Sequence, residues 1–146
     1  MTANIALTTR FPGAVFYPDW SLLAWHPMGI LDEATADRIM EYIELSEKVQ
    51  GAAFYRYTDM TGFSGIRVGL SHVVRLARQR HLYRGPIVKS ALYAPSMVSR
   101  TIAHMYTELM KDSRIRVSTF RSRNATAEWL GVPRKILQPP ADLRGR

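Results

Sequence analysis

An apolar run, a polar turn and a long amphipathic stretch follow one another without interruption in Tyr55 to Arg84, YRYTDMTGFSGIRVGLSHVVRLARQRHLYR. No other feature restricts the fold as strongly. Around Arg56, the residues Ala52, Ala53, Phe54, Tyr55, Tyr57 and Thr58 have the small, aromatic and β-branched character of a strand, and Asp59 to Ser64 form a polar turn broken by Gly62. From Ile66 the apolar positions recur at Leu70, Val73, Val74 and Ala77, the spacing of one helix face. The stretch therefore predicts strand, turn and helix, with Ser64 as helix N-cap and Asp59 accepting backbone N–H groups in the turn. Such a junction presents backbone donors beyond the sheet edge, where open α/β sheets place their sites.

The rest of the chain repeats this unit. Ala14 to Tyr17 and Ser21 to His26 read as strands of a hairpin turned at Pro18-Asp19, and His26 to Gly29 breaks the second strand. Asp32 is the expected N-cap of a first helix with its apolar stripe at Ala36, Ile39, Met40 and Ile43. Glu33, Asp37, Glu41, Glu44 and Glu47 make its opposite face acidic, and it ends near Gly51. Pro86 to Ala94 predicts a strand, and Ser96 caps a third helix running to about Lys111 through Val98, Ile102, Met105, Tyr106 and Leu109. Ile115 to Phe120 alternates as an edge or half-buried strand does, and Asn124 to Leu130 is a last helix closed by Gly131 and Pro133. Alternation of this kind predicts an α/β fold with right-handed crossovers between parallel strands. With 146 residues, the expectation is one domain over 13–133, a lead-in over 1–12 and a flexible tail over 134–146.

Charge divides the chain. Residues 1–63 hold four Lys/Arg and eight Asp/Glu, whereas residues 64–146 hold sixteen Lys/Arg and four Asp/Glu. A basic half attracts anionic small molecules, acidic protein faces or polyanions. The aromatic residues Tyr55, Tyr57, Tyr93 and Phe120 sit at core-like spacing, which argues against base stacking and so against nucleic acid as partner. No apolar run approaches the roughly 20 residues of a membrane helix, and no cysteine is present, so a cytoplasmic protein without disulfides is expected.

Chemical motifs are sparse. His26, His72, His81 and His104 lack metal-ligand spacing, no phosphate loop or nucleophile elbow occurs, and no metal or cofactor is expected; an enzyme stays as a third reading that no acid, base or nucleophile set announces. His72 and His104 are placed on outer helix faces. The polar cluster Asp59, Thr61 and Ser64, together with Gly62 and Gly65, marks the strand-to-helix junction as the first candidate site. Arg67, Arg75 and Arg78 give the adjoining helix a face suited to a protein partner or an anion. The acidic first helix of one copy meeting the basic face of another would give a homo-oligomer.

The order of elements from about Ala14 to Pro133 resembles the SpoIIAA-like branch of the STAS fold, the superfamily of anti-sigma-factor antagonists and sulfate-transporter C-terminal domains. Three stretches carry the resemblance: Asp59 followed by Met60-Thr61-Gly62-Phe63, the strand VKSALYA at Val88 to Ala94, and VSTFRSRNATAEWL from Val117 to Leu130. The resemblance implies a mixed sheet with an N-terminal β-hairpin and about four helices. In the antagonists a serine at the start of the helix after the central strand is phosphorylated, typically within an Asp-Ser-Ser-Gly type sequence. Ser64 is the matching residue, and Phe63 stands where that motif has its aspartate. The implied function is a non-enzymatic bacterial regulatory or protein-interaction domain. A similarity to lipid-binding Sec14 domains implies the alternative, a carrier or sensor of a small anionic or lipid-like ligand held near Trp20, Trp25 and Tyr93.

Overall fold

A computed structural model describes residues 12 to 140. Its main sheet contains β1 (Ala14–Tyr17), β2 (Leu22–Trp25), β4 (Tyr55–Asp59), β6 (Val88–Tyr93) and β7 (Ile115–Phe120), in that spatial order. β1 runs antiparallel to β2, and each later pairing is parallel. The fold is therefore α/β with a mixed sheet, and the expected hairpin is present. Four helices accompany it: α1 (Glu33–Gln50), α2 (Leu70–Arg80), α3 (Met97–Leu109) and α4 (Arg123–Leu130).

Strand order follows chain order, so each right-handed crossover steps the same way and lays its helix on the same face of the sheet. Strand alternation then sorts the side chains into two layers. Leu23 and Trp25 face α1, α2 and α3 and pack with Ala36, Ile39, Tyr42, Leu76 and Ala103. Leu22, Ala24, Tyr57 and Ala91 face the other way, against Ala127 and Leu130 of α4. Leu137, in a 3-10 turn over Arg134–Leu137, is fully buried in that second layer. The start of the expected flexible tail thus packs on the sheet; residues 1–11 and 141–146, which held the rest of the lead-in and tail, lie outside the described residues.

Capping follows the sequence closely. Asp32 Oδ1 accepts from Thr35 N at 2.8 Å at the start of α1, and Ser96 Oγ accepts from Ser99 N at 3.2 Å at the start of α3. Gly51 and Gly131 terminate α1 and α4 as expected.

Around residue 64 the structure corrects the sequence reading. Phe63–Arg67 is a strand, β5, which pairs in parallel with β3 (Gly29–Asp32) as a separate two-stranded sheet. Ser64 consequently lies exposed in a strand, and Gly69 rather than Ser64 is the N-cap of α2. His104 is exposed as expected, whereas His72 is buried, facing α1.

Candidate functional site

On the α1–α3 face the helices do not fill the space above the sheet. A cavity of about 130 Å³ remains, lined from α1 by Ile39 and Met40, from α2 by Val73 and Leu76, from α3 by Ile102 and Ala103, and from the sheet by Trp25, Thr58, Ser90 and Leu92. Met60 and Phe63 close its end at the strand-to-helix junction. Its polar side chains are few: those of Thr58, Ser90 and Tyr106, besides the indole of Trp25. Burial pushes the Tyr106 hydroxyl up to about 12, so it stays protonated and able to donate a hydrogen bond. An apolar space of about 130 Å³ is of the size that accepts a benzene-like group.

The junction itself is built on Asp59, the last residue of β4, only 2% exposed. Oδ1 accepts from Thr61 N at 3.0 Å and from Thr61 Oγ1 at 2.6 Å. Oδ2 accepts from Arg123 Nη2 at 2.8 Å and from the Tyr57 hydroxyl at 3.3 Å, with His26 Nδ1 3.4 Å away. Burial alone would raise the carboxyl, but hydrogen bonding from His26, Thr61 and Arg123 outweighs it and holds Asp59 well below the usual carboxylate range. Burial and the Asp59 charge together drive the Tyr57 hydroxyl well above its ordinary value. Both carboxylate oxygens are committed, so Asp59 works as a clip joining β4 to the turn and to the first residue of α4. Arg123 also stacks over Tyr93, its guanidinium carbon 4.8 Å from the ring centroid.

Gly62 lets this junction close. A Cβ there would overlap the Pro27 carbonyl oxygen and lie 2.9 Å from Met28 Sδ. Gly65 is under no such restriction, its Cβ meeting only Ile30 Cγ1 at 3.9 Å. Asp59, Thr61, Gly62, Ser64 and Gly65 are therefore brought together, but along a turn and a strand rather than at a helix start.

No family model matches the chain, and no curated protein does. The reading of the site rests on its own geometry.

The basic residues divide by environment. Arg67 and Arg78 are exposed. Arg75 is exposed too, but its Nη2 reaches Asp37 Oδ1 at 3.4 Å and His72 Nδ1 at 3.0 Å, while His72 Nε2 meets Asp37 Oδ1 at 2.9 Å. Gln79 donates to Glu44 at 2.6 Å, and Glu47 receives both Arg80 and Arg56. Asp37, Glu44 and Glu47 of the acidic face thus engage α2 within the molecule, while Glu33 and Glu41 of the same face are exposed.

Arg56 and Arg80, each 4% exposed, are the residues that sequence reasoning missed. The signal was present: Arg80 continues the Val73, Leu76, Ala77 stripe, and Glu47 lies four residues beyond Ile43 on the stripe of α1. Among the described residues no helix is long and apolar enough to cross a membrane, and no three His, Asp or Glu side chains converge as a metal site.

Proposed function

We propose that this chain is a non-enzymatic regulatory domain of the SpoIIAA-like STAS kind whose state is set by a small apolar ligand held between the sheet and α1–α3. The cavity of about 130 Å³ is the observation that carries the reading, because its walls between the sheet and α1–α3 are almost wholly apolar. Its walls select an aromatic or short aliphatic group, and the Thr58, Ser90 and Tyr106 hydroxyls can orient one polar atom. Since Met60 and Phe63 belong both to the cavity and to the junction, occupancy is felt at the Asp59 to Arg67 surface.

The test is native mass spectrometry of the undenatured protein beside Ala103→Leu, with indole and benzene as added probes followed by thermal unfolding. A retained small molecule, or a probe-dependent rise in Tm, that disappears in Ala103→Leu supports the reading. A clean apo mass with no probe effect on either protein overturns it.

A regulatory surface that binds a protein without any ligand is the second reading. Leu70, Met97 and Val98 favour it, being 59%, 77% and 66% exposed at the starts of α2 and α3, on the same sheet end as the junction. Charge reversal at Arg75 and Arg78 weakens partner capture if this surface is used; capture unchanged by the double variant removes it.

A further inference from the structure

β7 is an edge of the main sheet: it pairs with β6 and with no other strand among the described residues. Its side chains alternate between two helices. Thr119 Oγ1 meets Thr107 Oγ1 of α3 at 3.0 Å, whereas Phe120 packs against Trp129 of α4, with ring centroids 5.3 Å apart. Helices therefore flank both faces of the strand, and its outer rim of backbone groups is left. The ladder to β6 fixes which groups these are. Arg114 O accepts from Val88 N at 3.1 Å and Phe120 O accepts from Ala94 N at 2.9 Å, so the even-numbered residues turn their N–H and C=O to β6 and the odd-numbered ones turn theirs outward. Ile115 is closed off within the chain: its N–H donates to Ser113 Oγ at 3.2 Å, and its C=O accepts from the same hydroxyl at 2.8 Å. Val117 and Thr119 have no such cover, and no protein group bonds their backbone N–H or C=O among the described residues.

An open edge of this kind accepts a further strand, whose main-chain bonds supply affinity and whose alternate side chains supply selectivity. The charges beside it select the incoming chain. Arg116 and Arg121 are exposed, and neither reaches a carboxylate within ion-pair distance among the described residues. Arg114 is exposed as well and donates only to the Gly85 carbonyl, at 3.4 Å. Two β7 edges paired antiparallel about Ser118 would bring Arg116 of each copy close to Arg121 of the other, so like charge opposes self-pairing. A strand with carboxylates at alternate positions has the opposite effect, setting one of them beside Arg116 and keeping its apolar residues next to Val117 and Thr119.

We propose that the outer edge of β7 is a docking site for an extended acidic segment of a partner protein, which joins the main sheet through the backbone of Val117 and Thr119 and sets a carboxylate beside Arg116. Ser113 fixes where the added strand ends, because it has already taken the outward groups of Ile115. The site is separate from the apolar cavity and from the Asp59 junction, and it depends on neither.

The experiment is an NMR titration of the full chain, with amide hydrogen exchange, using a short blocked peptide of alternating Glu and Val as probe and its Lys-Val counterpart as control. The expected result is a saturable shift and slowed exchange at the Val117 and Thr119 amides with the Glu-Val peptide, with exchange at Ile115 unchanged. Thr119→Pro removes an outward N–H that the β6 ladder does not use, a change that edge strands tolerate, and should weaken the Glu-Val peptide about tenfold. Arg116→Glu, an exposed substitution that leaves the fold intact, should weaken it by about as much and turn the preference to the Lys-Val peptide. No slowing of exchange at Val117 and Thr119, equal binding of the two peptides, or an Arg116→Glu protein that still prefers Glu-Val overturns the proposal. So does protection of the same amides that rises with protein concentration in the absence of peptide, which would assign the edge to a second copy.

Discussion

Gly62→Ala tests the junction most directly. The added Cβ would overlap the carbonyl oxygen of Pro27 and stand 3.2 Å from the carbonyl carbon, so relief requires the backbone of the β2–β3 connection to move. Met28 Sδ, at 2.9 Å, belongs to a flexible exposed side chain and can swing away; Pro27 is buried and cannot. Overpacking ordinarily costs 1–3 kcal/mol, and a clash with backbone belongs at the upper end, about 3 kcal/mol. Gly65→Ala is the matched control three residues on. Its Cβ makes an ordinary contact, and Ala is favoured over Gly in a strand by roughly 0.5–1 kcal/mol, so that variant should be neutral or slightly stabilised. Urea unfolding should separate the two by about 3 kcal/mol, equivalent to roughly 10 °C in Tm for a chain of this size. Because Met60 and Phe63 line the apolar cavity, Gly62→Ala should also weaken the response to indole. A Gly62→Ala protein within about 0.5 kcal/mol of wild type would refute the close approach of the turn to Pro27.

Asp59→Asn should cost about 3 kcal/mol by removing the charge that pairs with Arg123 and leaving one accepting oxygen where Thr61 and Arg123 now use two. The carboxyl is depressed on folding, so its contribution is whole above about pH 5 and lost as pH falls below its unfolded value of about 3.9; the acid limb of wild-type stability should flatten in the variant, as equilibrium unfolding against pH will show. Ala103→Leu places carbons in the apolar cavity and should stabilise the ligand-free protein by about 1–2 kcal/mol in urea, whereas a loss would mean that the space is not there. Ser64→Glu should leave helix content by circular dichroism unchanged and stability within about 0.5 kcal/mol, because Ser64 is exposed in β5 and caps no helix.

Features determined within a few residues could be read in advance. Asp32 and Ser96 cap the helices they were expected to cap, since an N-cap bond spans only three residues. Asp59 was recognisable as the turn former for the same reason. β3 and β5 were not legible, because Ile30 pairs with Gly65 and Leu31 with Ile66 across a whole helix, and each strand contains a glycine that weakens its local signal. Ile66, Leu70 and Val73 also happen to fit a helical period, which hid the real start of α2 at Leu70. Arg56 escaped because a charge is ordinarily read as solvated, and only the fold reveals that its strand is central and its ring neighbours enclose it.

The uneven charge of the chain is partly explained by the α1–α2 contact, where Glu47 serves Arg56 and Arg80 together. That sharing makes the three residues unequal. Removing Arg80 leaves Glu47 still paired with Arg56, and Arg80→Met retains the apolar stem that continues the α2 stripe, so the cost should be about 1 kcal/mol or less. Removing the carboxylate as Glu47→Gln leaves Arg56 without a close anion and Arg80 with only Glu44, 3.8 Å away, which should cost about 4 kcal/mol. Urea unfolding of the two variants measures the asymmetry, and comparable losses would mean that Glu47 is not the shared partner.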